Sequence, residues 1–216
     1  MSRSIADRYG PGMGQIIGDR YRVDIGSQTV EVPLVPIGPG TAISLLMTID
    51  HGIRFGEVAG ADLAGAIADT RPDIVASAAT LGIPVAIEVS RHLGLDDYLI
   101  LQKTPKVHLV DALAEPLSSI TTDSPQRLLL DRQRIPAVAG KRVALVDDVI
   151  ATGGSIAASA RLLRAAGAEL VVIGSYLVEG SAWTAALGDD AHLVRSLGAI
   201  PMFTDDGDGT WAEVWD

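Results

Sequence analysis

Apolar positions along the chain follow two periods. Residues 21–37 (YRVDIGSQTVEVPLVPI) alternate apolar and polar around Gly26 and Ser27, the pattern of two strands joined by a turn. From 57 to 69 small and apolar residues recur at helical spacing, and Arg71 followed by Pro72 closes the segment. DIVASAA (73–79) is a short apolar run of the buried-strand type, and a helical stretch follows Leu81 and Gly82 to about His92. YLILQ (98–102), RLLLD (127–131), RVALVDD (142–148) and LVVIGSYLV (170–178) predict further strands, and 155–166 predicts a helix ended by Gly167. Strand and helix in repeated alternation mean βαβ units, so the fold class is α/β with a mostly parallel sheet flanked by helices.

The remaining segments break this rhythm. Residues 1–20 hold Gly10, Pro11, Gly12 and Gly14 without a sustained period and read as a flexible arm. These glycines follow no strand, so they do not make a dinucleotide-binding turn. An apolar stretch after the GPG turn at 38–40 runs through Met47 with no decisive period. Residues 103–127 are polar with scattered prolines; a loop of that length is either a functional lid or a pair of weak strands.

Composition narrows the function. A chain of 216 residues, 48% hydrophobic and 20% charged, fills one domain with a full core and is not dominated by disorder. Its 27 acids against 17 Lys plus Arg give a net charge of −10, which argues against a sequence-independent nucleic-acid binder and leaves room for a local basic pocket. The absence of cysteine excludes disulfides, thiolate metal sites and a Cys nucleophile. No run reaches the ~18 apolar residues of a membrane span, and MSRSIADRYG has no apolar signal core, so the expected address is cytoplasmic, with no membrane partner. There are three lysines, and two of them, Lys103 and Lys106, share the stretch QKTPKVHL, with Lys141 apart. The end of the chain, 205–216, is an acidic tail expected to be solvated.

The chemistry concentrates in VALVDDVIATGGS (143–155). A buried strand ends in Asp147 and Asp148, then a small-residue turn opens a helix, and ligands of open α/β sheets sit beyond such strand ends. Ala151, Thr152, Gly153 and Gly154 leave backbone N–H groups uncovered, Ser155 offers a hydroxyl, and the helix dipole favours an anion. This is not a Walker loop, because no lysine follows Lys141. Two carboxylates suit a vicinal diol, each accepting two hydrogen bonds. Phosphate on one side and diol on the other describe a ribose 5-phosphate. Strict alternation sends Asp147 and Asp148 to opposite faces, so both reach one ribose only if the strand is turning there.

The same 13 residues resemble the phosphoribosyl pyrophosphate (PRPP) signature of type I phosphoribosyltransferases, and the likeness extends over roughly 22–203, most closely to the adenine enzymes and related bacterial proteins. The resemblance implies a core domain over 21–204, with a small hood subdomain from 21–50 and 180–204. It implies transfer of 5-phosphoribosyl from PRPP to a nucleobase, a purine in first place, in a homodimer, with Mg²⁺ carried on PRPP. It assigns Asp147 and Asp148 to the ribose hydroxyls and developing ring charge, and 151–155 to the 5-phosphate. Pyrophosphate falls to the first loop, through Ala79, Thr80 and Leu81, and to Lys103 and Lys106 after Gln102. Ala79 and Leu81 stand where the adenine enzymes usually carry an acid and an arginine. The stretch 104–126 would be the mobile loop, but it lacks that family's Tyr-Glu run, offering Asp123 and Glu115 instead. A non-catalytic regulator that binds PRPP or a nucleotide is the alternative; a PRPP synthase, resembling two such domains in tandem, would need a longer chain. Trp183 falls where the hood resumes and either stacks on the base or packs in the core. His51, His92, His108 and His192 match no metal spacing, and Ser4, Ser77 and Ser90 lack a nucleophile elbow.

Overall fold

The computed structural model describes residues 14–105, 111–117, 126–205, 207 and 209–215. Its centre is a five-stranded sheet in the order β11-β10-β9-β5-β6, every pair parallel. The strands are β5 (Ile74–Ala78), β6 (Tyr98–Leu101), β9 (Arg142–Ile150), β10 (Glu169–Glu179) and β11 (Val194–Ile200). Burial on both faces is why β5 and β10 read as unbroken apolar runs. Helices α1 (Gly52–Ile67) and α2 (Gly82–Leu93) cover one face, burying Phe55, Leu63, Ile67, Val85 and Val89. The opposite face is covered by α4 (Gly154–Ala165), which follows the single-turn α3 (Ile135–Val138) and precedes the short α5 (Ala182–Leu187).

A second sheet, in the order β1-β2-β3-β4-β12-β13, forms the hood. It comprises β1 (Gly14–Ile17), β2 (Arg20–Ile25), β3 (Gln28–Gly38), β4 (Thr41–Ser44), β12 (Met202–Asp205) and β13 (Trp211–Val214), all antiparallel. The hairpin expected over 21–37 is β2 and β3. Three expectations change. Residues 14–17 of the predicted arm are a strand paired with β2, so Gly14 packs tightly against the Tyr21 ring. Val194–Ile200, assigned to the hood, is instead the parallel edge of the core sheet beside β10. The acidic end folds back as β13, where Trp211 and Trp215 add apolar contact to the two cores.

Within the polar stretch, β7 (Leu113–Leu117) and β8 (Gln126–Leu130) pair as an antiparallel hairpin. The sequence left lid and weak strands open, and the described part is strands. Reciprocal bonds between Gln102 and Leu129 backbones, 2.9 and 2.8 Å, attach it to the end of β6.

Candidate active site

The strand order reverses at β5: β6 follows on one side, and β9, β10 and β11 lie on the other. Such a switch point opens a crevice, because the connections on either side leave toward opposite faces of the sheet. That is the case here. The loop after β5 feeds α2 on the hood side, and the loop after β9 feeds α4 on the other. Asp147, Asp148 and the loops that follow β5 and β9 lie around this crevice.

Asp147 and Asp148 sit in the last turn-ward part of β9, which stays paired with β10 as far as Ile150 opposite Val178. Although the strand does not end at the pair, the two residues are tied together where Asp147 Oδ1 meets the Asp148 backbone. Asp148 is 9% exposed, and Asp147 is half-buried with Oδ1 accepting from the Asp148 N–H at 3.1 Å. Burial pushes both carboxyls above the ordinary carboxylate range, and for Asp147 the neighbouring Asp148 charge adds to it. The Lys103 charge lies near enough to pull both the other way, which puts Lys103 at the same crevice as the acids. Lys106, His108 and Asp123 lie outside the described residues, as does Ser4.

The turn after β9 is shaped by Gly153, which has φ +78°. Helix α4 starts there with no side-chain cap and no acid in its first turn, so its leading N–H groups face the crevice unneutralised. Ser155 adds a buried hydroxyl with no partner among the described residues. An orphaned donor beside uncapped N–H groups is what a phosphate monoester completes. The first loop has similar character: α2 also starts without a side-chain cap or an acid in its first turn. Within that loop the Ala79 N–H donates to Leu101 O at 2.9 Å. Thr48 supports the loop from the hood, its hydroxyl donating to Leu81 O at 3.3 Å.

Two other candidates resolve. Trp183 is 1% exposed, belongs to the core cluster, and donates Nε1–H to Gly180 O at 3.1 Å, so its ring packs in the core. Glu115 accepts from Arg161 Nε of α4 at 2.5 Å and is held on that helix. His51 opens α1 against Phe55, His92 closes α2, and His192 lies in the turn Gly188–Leu193, so none meets the acids. Among the described residues no three His, Asp or Glu side chains gather to hold a metal ion. Sequence reasoning weighed Ser77 only as a nucleophile and missed its packing beside Gly82 and Asp147.

A family model described as phosphoribosyl transferase domain matches residues 56–186, from α1 through most of α5. The chain belongs to that family. The adenine phosphoribosyltransferase of Gluconobacter oxydans is 37% identical to this phosphoribosyl transferase over 164 residues, 74% of this chain and 86% of that one. A 40-residue stretch is 60% identical to the adenine phosphoribosyltransferase of Mycobacteroides abscessus, covering 18% of this chain and 23% of that protein. The solved adenine phosphoribosyltransferase of Thermoanaerobacter pseudethanolicus superposes with a TM-score of 0.63 at 21% identity, over 78% of this chain and 95% of that chain. That likeness concerns the fold: the α/β core and hood are those of type I phosphoribosyltransferases.

Proposed function

We propose that this phosphoribosyl transferase displaces pyrophosphate from C1 of Mg·PRPP with a ring nitrogen of a purine, adenine in first place, giving a nucleoside monophosphate. The observation that carries the reading is the pairing of Asp147 and Asp148 with the uncapped start of α4 and the orphaned Ser155 hydroxyl at one switch-point crevice. In this reading Ala151, Thr152, Gly153, Gly154 and Ser155 surround the 5-phosphate. The two aspartates accept from the ribose hydroxyls and offset the positive charge that grows on the ring as the C1–O bond breaks. The C1–N bond forms as pyrophosphate leaves with the pair of electrons, and the ring N–H proton passes to solvent. Thr80 and Leu81, from the first loop with Ala79, hold the pyrophosphate with Lys103, joined by Lys106. The divalent ion arrives on PRPP as part of the substrate and neutralises the leaving group. Choice of adenine rests on the printed names of the relatives.

The exposed Ile49 and Ile53, 60% and 86% accessible near the start of α1, support the homodimer. No helix among the described residues is long and apolar enough to cross a membrane, and the cytoplasm is the compartment where PRPP chemistry fits. A PRPP-binding regulator is the second reading, favoured by the uncharged Ala79 and Leu81 side chains and by Glu115 being held on Arg161. The deciding experiment is pyrophosphate release from Mg·PRPP across a panel of purines and pyrimidines. Release that depends on a purine supports the enzyme; PRPP binding with no release under any base supports the regulator.

A further inference from the structure

The two halves of the crevice are tied together by one side chain. Backbone pairing between β5 and β9 runs from Ile74 opposite Val143 to Ala76 opposite Leu145 and stops there. Both strands continue with their other neighbours: β5 stays with β6 to Ala78 opposite Leu101, and β9 stays with β10 to Ile150 opposite Val178. The sheet therefore forks one residue before the candidate site. At the fork the fully buried Ser77 of β5 donates its hydroxyl to Val146 O of β9 at 2.7 Å. A side chain has taken over where the ladder ends. Beside it, a Cβ on Gly82, the first residue of α2, would overlap Ser77 Oγ and lie 2.8 Å from Asp147 Oδ1. The hydroxyl, the carboxylate and the start of the pyrophosphate-loop helix are packed with no spare volume.

We propose that Ser77 is a positioning residue that fixes the separation between the loop after β5 and the acids and phosphate loop after β9. The inference rests on the PRPP reading above, in which one ligand spans both sides of the fork. A spanning ligand gains affinity because its second half binds at high effective concentration, and that gain disappears when the two half-sites drift relative to each other. A ligand that occupies one side alone does not sense the separation. Ser77 touches no reacting atom and acts through Val146, which precedes Asp147, and through Gly82.

The test compares spanning and one-sided ligands by calorimetry, using Mg·PRPP, ribose 5-phosphate and Mg·pyrophosphate as probes. Ser77→Ala is expected to weaken Mg·PRPP about tenfold, the scale of one lost hydrogen bond. Ribose 5-phosphate and pyrophosphate should each stay within about twofold of the wild type. Ser77→Cys, which keeps the shape with a weaker donor, is expected to fall between the two and serves alone if the alanine variant does not fold. Unchanged PRPP affinity in the variant, or equal weakening of all three probes, overturns the positioning role. Wild-type protein that binds no PRPP overturns the underlying functional reading instead, so the two failures are told apart.

Discussion

The backbone of Trp183 lies directly against Gly153: a Cβ on that glycine would come within 2.9 Å of Trp183 Cα and 3.0 Å of Trp183 O. The turn after β9, where the proposal seats the 5-phosphate, is thus shaped by α5, an element that follows a different strand. Gly153 also has φ +78°, a conformation costly for any side chain. Gly153→Ala is expected to lose about 2 kcal/mol of stability, seen as a Tm lower by about 4–8 °C. The KM for PRPP should rise at least about tenfold, because the loop must move to admit the methyl group. An alanine variant with unchanged KM would show that the loop geometry is not what holds the phosphate.

The burial of Trp183 gives a second prediction. Its indole packs in the core and its Nε1–H is engaged by Gly180 O, so it contributes to stability rather than to the base site. Trp183→Phe is expected to cost about 1–3 kcal/mol in thermal denaturation. The KM for the purine should stay within about twofold. A large rise in that KM with little loss of Tm would place the ring on the base after all.

The aspartate pair trades stability for chemistry. Both carboxyls are raised by burial, so each binds its proton more tightly in the folded chain than in the unfolded one. The pair's contribution to stability is therefore most favourable below the ordinary carboxylate range and is lost as pH rises through the raised values. Asp147→Asn mimics the neutral form. It should raise Tm at pH 8 by about 2–4 °C, for about 1 kcal/mol regained, with the gap closing toward pH 4. Turnover should fall at least about 100-fold, because the developing ring charge loses its partner. A variant less stable than the wild type at pH 8 would contradict the sign.

The same shift couples PRPP binding to protons. The ribose hydroxyls need acceptors and Mg·PRPP brings a cation, so the ionised pair binds best and binding expels a proton. Affinity should rise with pH through the raised carboxyl values and level off above them. Calorimetry in two buffers of different ionisation enthalpy should detect net proton release across the raised carboxyl range, shrinking once both carboxyls are ionised in the free protein. Net proton uptake on binding would refute the assignment of the pair to the diol.

What the sequence made legible follows from how local each signal is. Strand β9, its aspartates and the glycine turn into α4 were readable because strand, acids, turn and helix start occupy 14 consecutive residues, 142–155. The short strands were not: β1, β4, β12 and β13 have four residues each, too few for a period, and exist because neighbours far along the chain pair with them. Val194–Ile200 was assigned to the hood through the family resemblance over 180–204, while its pairing partner β10 decides its place. Ser77 stayed hidden for a similar reason, since its acceptor at Val146 is 69 residues away. Trp183 was ambiguous in sequence because stacking and packing both use an aromatic ring, and only burial separates them.

The most direct test of the account is product formation from Mg·PRPP and labelled adenine, run beside Asp147→Asn/Asp148→Asn. The account predicts AMP and pyrophosphate in equal amounts from the wild type and a loss of both in the double variant. Wild-type protein that binds Mg·PRPP yet forms no nucleotide from any purine would contradict it and leave a PRPP-responsive regulator in its place.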